Sequence, residues 1–171
     1  MSASELVDVV DADDRVIGRA TRADVRAQKL RHRATYILVF NSSGQLFVHR
    51  RSASKDVYPS YFDVAVGGVV GAGESYDAGA QRELAEELGI TGVPVRPILK
   101  FQYEDAGNLV NGRVYSCLYD GAFTLQAEEI VSGEWLDLDV VIERTRQDRF
   151  CPDGIEALLR YLDRLASVQK E

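Results

Sequence analysis

The stretch from Gly68 to Ile90 constrains this 171-residue chain more than any other. A glycine-rich loop with Gly67, Gly68, Gly71 and Gly73 runs into Ser75, a residue type suited to cap a helix start. The residues that follow read as a helix to Leu88, closed by Gly89. Ala80, Leu84 and Leu88 recur every four residues and form an apolar stripe that must face a packed surface. Glu83, Glu86 and Glu87 are related by i,i+3 and i,i+4 and share another face. Like charges so placed destabilise a bare helix. Coordination of Mg²⁺ or Mn²⁺, hard ions that take carboxylate oxygens, would offset that penalty. Arg82 can pair with Glu86 four residues on or reach back to Glu74, and either contact would hold the cluster. The Gly67 carbonyl offers a further hard oxygen. An E-x-x-E-E helix face by itself is more often solvated surface; only the joint pattern with the glycine loop, Glu74 and Arg82 points to a metal site.

Around this segment the chain alternates strand and helix patterns. Residues 5–10 and 15–20 read as strands joined by an acidic turn, and Thr21 with Asp24 forms a capping box for a short helix to Gln28. Residues 35–40 and 45–50 read as a hairpin about Asn41-Ser42-Ser43-Gly44. Further strands are expected over 63–66, 93–103, 113–123 and 129–136. Gly107, Asn108, Asn111 and Gly112 fall in a loop between the two long ones. Residues 138–146 read as a short helix. Asp153, with Glu156 as its reciprocal partner, reads as the cap of a last one. Ile155, Leu158, Leu159, Leu162 and Leu165 form the apolar stripe of that helix. Mixed strands with helices on their faces imply an α/β sandwich. Residues 1–171 read as a single domain, with 1–30 as an extension of it.

Composition narrows the partners. With 46% hydrophobic residues the chain can bury a sizeable core, and no run approaches the length of a membrane span. The first eight residues carry two acids and no base, which argues against a signal peptide. Cys117 and Cys151 make neither a disulfide framework nor a metal cluster, so a cytoplasmic setting is the expectation. The net charge of -7 disfavours long nucleic acids, which bind mainly through Lys and Arg. A small phosphorylated molecule remains open, because a bound cation inverts the local field.

Gly68, Glu74, Arg82-Glu83-Leu84, Glu86-Glu87 and Gly89-Ile90 together match G-x5-E-x7-R-E-U-x-E-E-x-G-U, where U is aliphatic. The chain thus resembles the Nudix hydrolases. The resemblance implies an α/β/α sandwich with a mixed central sheet. It also implies cleavage of a nucleoside diphosphate linked to another moiety, using divalent cations. Carried onto these residues, it makes Glu83, Glu86 and Glu87 metal ligands with the Gly67 carbonyl, and Glu74 and Arg82 their support. Either Glu86 or Glu87 takes the proton of the attacking water.

Outside that box, Leu46-Phe47-Val48-His49-Arg50-Arg51-Ser52, Lys55 and Tyr58-Pro59 resemble the branch related to type 1 isopentenyl-diphosphate isomerase. This resemblance implies that Arg51 and Lys55 contact phosphate, although a solvated basic pair would look the same. The isomerase chemistry does not carry over. Val66 stands where its catalytic Cys would be, Gly68 where a metal-binding His would be, and Asn111 and Arg113 where two later glutamates would be.

Six other positions carry expectations. Arg113 supplies positive charge near a distal phosphate or simply faces outward. His32 meets phosphate, base or nothing, and His49 is structural or merely exposed. Phe150 stacks on a base or packs in the core. Glu128 and Glu129 are candidates for an additional acid. The expected substrate is a nucleoside di- or triphosphate, with nucleotide sugars, dinucleotides and CoA-type molecules open. Competing readings are residual isomerase activity and a nucleotide-binding regulator without turnover. Monomer and homodimer are both compatible with the chain.

Overall fold

The computed structural model describes residues 2–168. Its elements are β1 (Leu6–Val10), β2 (Val16–Thr21), α1 (Arg22–Ala27), β3 (His32–Phe40), β4 (Leu46–Arg51), β5 (Phe62–Asp63), α2 (Tyr76–Leu88), β6 (Arg96–Glu104), β7 (Leu109–Leu118), β8 (Ile130–Leu136), α3 (Leu138–Arg144) and α4 (Pro152–Val168).

One mixed eight-stranded sheet joins all the strands. Its spine is β3, which runs parallel to β7 from His32↔Val110 to Phe40↔Leu118. β6 pairs antiparallel with β7, and β8 with β4. β1 enters beside the start of β3 at Val9↔His32 and carries β2 on its outer edge. Alternation along β3 divides the interior. Tyr36 and Leu38 join one core with Phe101, Val114, Val141, Phe150 and Leu158 on the α3 and α4 side. Ile37 and Val39 join the other with Ala80, Leu84 and Leu88 of α2. Helices on both faces of a mixed sheet make the α/β/α sandwich that the residue pattern implied.

Local signals hold where the chemistry is local. Thr21 accepts a hydrogen bond from the Asp24 amide, and Ser75 accepts one from the Ala78 amide. Gly89 ends α2 in the left-handed region at φ 70°.

Long-range pairing overrides other expectations. The residue 35–50 segment is barely a hairpin: β3 and β4 share only Phe40↔Leu46, because the same edge of β3 is taken lower down by residues 66–69 (Ile37↔Val66, Ala34↔Val69), while β7 runs along the other edge. Asn111 and Gly112 lie inside β7 instead of a loop. Asn111 is buried with its amide donating to the Asp11 carbonyl, and a Cβ on Gly112 would stand 2.5 Å from the Phe101 ring. β7 therefore starts earlier and ends at Leu118, and β6 starts only at Arg96. Asp153 does not cap the last helix, which begins at Pro152. Its carboxylate instead accepts the Tyr36 hydroxyl at 3.0 Å, and Glu156 pairs with Arg160. Leu159 and Leu165 of the expected stripe stay exposed.

Candidate active site

α2 presents two faces to two environments. Ala80, Leu84 and Leu88 are sealed in the core. Glu83 and Glu87 are 7% and 5% exposed and line an open cleft, whereas Glu86 faces solvent. The cleft is also lined by the start of β3, the chain after β4, the Gly67–Val69 loop and α1.

Arg82 ties loop to helix. Its Nε and Nη2 donate to the two oxygens of Glu74 at 2.9 and 3.0 Å. Its Nη1 reaches Glu83 at 2.7 Å and Glu86 at 3.2 Å, and Nη2 also donates to the Val69 carbonyl. Both partners foreseen for Arg82 are thus engaged at once. Glu74 accepts the Gly71 amide as well. Burial acts to raise the Glu74 pKa, but the Arg82 and Gly71 hydrogen bonds outweigh it and hold the group below its ordinary value.

The glycines before α2 permit close approach. Gly67 has φ 144°, and a Cβ there would run into the Thr35 carbonyl. A Cβ on Gly68 would stand 2.9 Å from Glu83 Oε1. Any side chain at 68 would push against the carboxylate that the cleft presents.

Among the described residues, no three acidic, histidine or cysteine side chains form a ready-made metal cage. Arg82 holds Glu83 and Glu86, and Glu86 lies at the solvent while Glu87 is buried. The donor set nevertheless suits a hard divalent ion. Burial, reinforced by the neighbouring Glu83, pushes the Glu87 carboxyl up to about 8. Burial raises Glu83 too, against the pull of Arg82. Two buried carboxyl groups that resist ionising together are stabilised by an added positive charge.

Cations and further acids share the cleft. Arg51 Nη1 stands 3.8 Å from Asp63 and its Nη2 donates to the Val57 carbonyl. Lys55 is ion-paired with Glu129, which places that late acid in the cleft. His32 lines it as well, with Nδ1 3.0 Å from the Leu30 carbonyl. Burial pulls its pKa down to about 4, so the ring is neutral.

Two expected contacts are not brought here. Arg113 pairs with Asp77 at 3.4 Å and lies over the rings of Tyr76 and Tyr115 on the α2 face of the sheet. Phe150 is buried against Phe62 in the α4-side core, with ring centroids 5.5 Å apart. Neither lines the cleft. His49 is buried and stacks on Phe47, as a structural residue does.

Arg22 and Arg26 of α1, and Asp63, line the cleft without having been foreseen, and Asp153, at the start of α4, lines it too. The only local signal for the two arginines was their spacing of four on a short helix.

The NUDIX domain family profile matches residues 30–154. The uncharacterized Nudix hydrolase PA4841 of Pseudomonas aeruginosa is 44% identical over 95% of this chain and 96% of its own length. The uncharacterized Nudix hydrolase YfcD of Escherichia coli is 41% identical over 97% of this chain and 91% of its own. The crystal structure of DR0079 from Deinococcus radiodurans superposes with a TM-score of 0.82 at 31% identity, covering 91% of this chain and 98% of that one. With the fold and the match both in hand, the chain belongs to the Nudix hydrolase family.

Proposed function

We propose that the protein hydrolyses a diphosphate linkage in a nucleoside di- or triphosphate or a related nucleoside diphosphate derivative. The products are a nucleoside monophosphate and phosphate or pyrophosphate. The observation that carries this reading is the placement of buried Glu83 and Glu87 in one cleft with Arg51 and Lys55. Carboxylates alone repel a diphosphate. Carboxylates plus cations accept a diphosphate together with its metal ion.

Glu83, Glu86, Glu87 and the Gly67 carbonyl are the groups that would hold Mg²⁺ or Mn²⁺. When bound, such an ion neutralises charge on the phosphate oxygens and acidifies the attacking water. The remaining work falls to the protein. Arg51 and Lys55 hold phosphate oxygens. Glu86 or Glu87 accepts a proton from the water. Arg82 and Glu74 are positioning residues that keep the carboxylates and the glycine loop in register. Arg113 and Phe150 receive no substrate role, since they lie away from the cleft.

Isomerase chemistry finds no support in these residues. Val66 is sealed in the α2-side core, and Asn111 and Arg113 lie outside the cleft. No helix among the described residues is long and apolar enough to cross a membrane. The buried, free Cys117 and Cys151 accord with a cytoplasmic enzyme on a small phosphorylated substrate.

The test is ³¹P NMR of product formation from nucleoside di- and triphosphates, nucleotide sugars, dinucleotides, CoA and isopentenyl diphosphate. Each is run with Mg²⁺ and with Mn²⁺. Diphosphate cleavage by the wild type, lost in Glu86→Gln and Glu87→Gln with folding intact, supports the reading. Tight binding without turnover across the panel would replace it with a non-catalytic regulator. Double-bond migration with the diphosphate retained would replace it with an isomerase.

A further inference from the structure

Arg26 reaches from α1 into the cleft with an unusual set of partners. Its Nη1 donates to the side-chain oxygen of Asn108, a neutral amide, and its buried Nε has no acceptor. No carboxylate forms a salt bridge with it among the described residues. Arg22, one turn earlier, differs in meeting Asp56 at 3.0 Å. Burial lowers the Arg26 pKa, and the charges of Asp56 and Asp153 only partly oppose that. A buried guanidinium matched to an amide is short of negative charge.

Two more buried nitrogens on the same cleft lack partners: Arg51 Nε and His32 Nε2. Buried polar atoms are nearly always satisfied, so three orphans in one open cleft point to a ligand as the missing partner. The two guanidinium donors call for oxyanions. His32 calls for the opposite. Its Nδ1 hydrogen goes to the Leu30 carbonyl, so in the neutral ring Nε2 offers a lone pair.

We propose that Arg26 and Arg51, with Arg22 beside them, form a subsite for a terminal phosphate group, and that His32 Nε2 accepts a hydroxyl hydrogen from the same ligand. The subsite selects diphosphates that end in a free phosphate over those capped by a sugar or second nucleoside. A free terminal phosphate presents two charged oxygens to a guanidinium fork, whereas a capped one presents a single charge and added bulk. Asp63 and Asp153 also line the cleft, but Asp63 faces Arg51 and Asp153 accepts the Tyr36 hydroxyl. α1 precedes the family-matched residues 30–154, so substrate choice comes partly from the N-terminal segment. The substrate assignment rests on the hydrolase reading above. The anion subsite does not.

The experiment is calorimetric titration of inorganic pyrophosphate into wild type and Arg26→Gln. Kinetics on a nucleoside diphosphate and on the matching nucleoside diphosphate sugar are run alongside. Loss of a charge-assisted fork should weaken pyrophosphate by about tenfold or more and raise KM for the nucleoside diphosphate by a similar factor. KM for the capped substrate should move less than about twofold, with kcat nearly constant for both, because only a ground-state contact to a remote phosphate is removed. Unchanged pyrophosphate affinity, or equal KM losses on free and capped substrates, overturns the subsite. If wild type turns over no member of the substrate panel above but Arg26→Gln still weakens pyrophosphate, the hydrolase reading fails and the subsite stands. Should Arg26→Gln not fold, Arg22→Gln is titrated instead, and undiminished pyrophosphate affinity there overturns the proposal.

Discussion

Arg82 and Glu74 form a two-pronged ion pair across the junction of loop and helix, Nε to Oε1 at 2.9 Å and Nη2 to Oε2 at 3.0 Å. The same Arg82 reaches Glu83 and Glu86, and the same Glu74 accepts the Gly71 amide. One contact therefore sets both the loop that approaches the cleft and the carboxylates that face it. Replacing Glu74 with Ala removes the acceptor of Arg82 Nε and of the Gly71 amide, and one of two acceptors of Arg82 Nη2. We expect a loss of about 1–3 kcal/mol in urea unfolding, together with reduced metal-dependent turnover. Unfolding midpoints and turnover equal to wild type would remove the pair from this role.

Metal binding should register as stability. Glu83 and Glu87 are buried and held above the ordinary carboxylate range by that burial. An ion that binds only the folded protein raises its Tm, by about 2.7 kcal/mol equivalent at one hundred times Kd. Mg²⁺ should raise the Tm of the wild type and have little effect on Glu87→Gln. A Tm shift of equal size in both proteins would place the ion elsewhere.

Gly67 tests the backbone geometry. At φ 144°, with the Thr35 carbonyl oxygen blocking the place where a Cβ would stand, any β-carbon is both strained and in collision. Gly67→Ala should destabilise by about 1–3 kcal/mol or more, since strained backbone and overpacking act together. Gly44→Ala, also at positive φ but with open space around it, should show the backbone strain alone and lose less. Chemical denaturation of the two variants compares them directly.

His49 predicts an acid limb of the stability curve. It is fully buried, its Nδ1 has no partner, and burial depresses its pKa from 6.5 to about 3. Its contribution is fully present above the unfolded pKa and declines as pH falls from about 6.5 toward 3, because only the unfolded chain takes up the proton there. Between pH 7.5 and pH 5 this amounts to about 2 kcal/mol. His32 acts in the same direction, whereas Glu87 and Asp63, held high by burial, act in the opposite one. The difference between wild type and His49→Gln therefore isolates the effect. The variant should lose about 2 kcal/mol less over that interval, and parallel pH profiles would show that the imidazole is not held neutral.

The amino-acid order alone determined what depends on neighbours within a turn or two. The Ser75 and Thr21 caps, the Gly89 stop, and the separation of Ala80, Leu84 and Leu88 from the glutamates all follow from helical period and side-chain chemistry. The loop that carries Gly67 and Gly68 was legible for the same reason. Pairing between distant segments was decided only by the tertiary structure. Asn111 and Gly112 look like loop residues until β3 and β6 flank them, and Asp153 looks like a cap until Tyr36 reaches it from a strand 117 positions away. Arg113 and Phe150 had the right chemistry for substrate contact, but the register of β7 and the packing of Phe62 send them elsewhere. Arg26 had no signal beyond its charge and its spacing of four from Arg22. It becomes significant only because β1 and β2 bring α1 to the cleft and burial removes the water that would otherwise have solvated it.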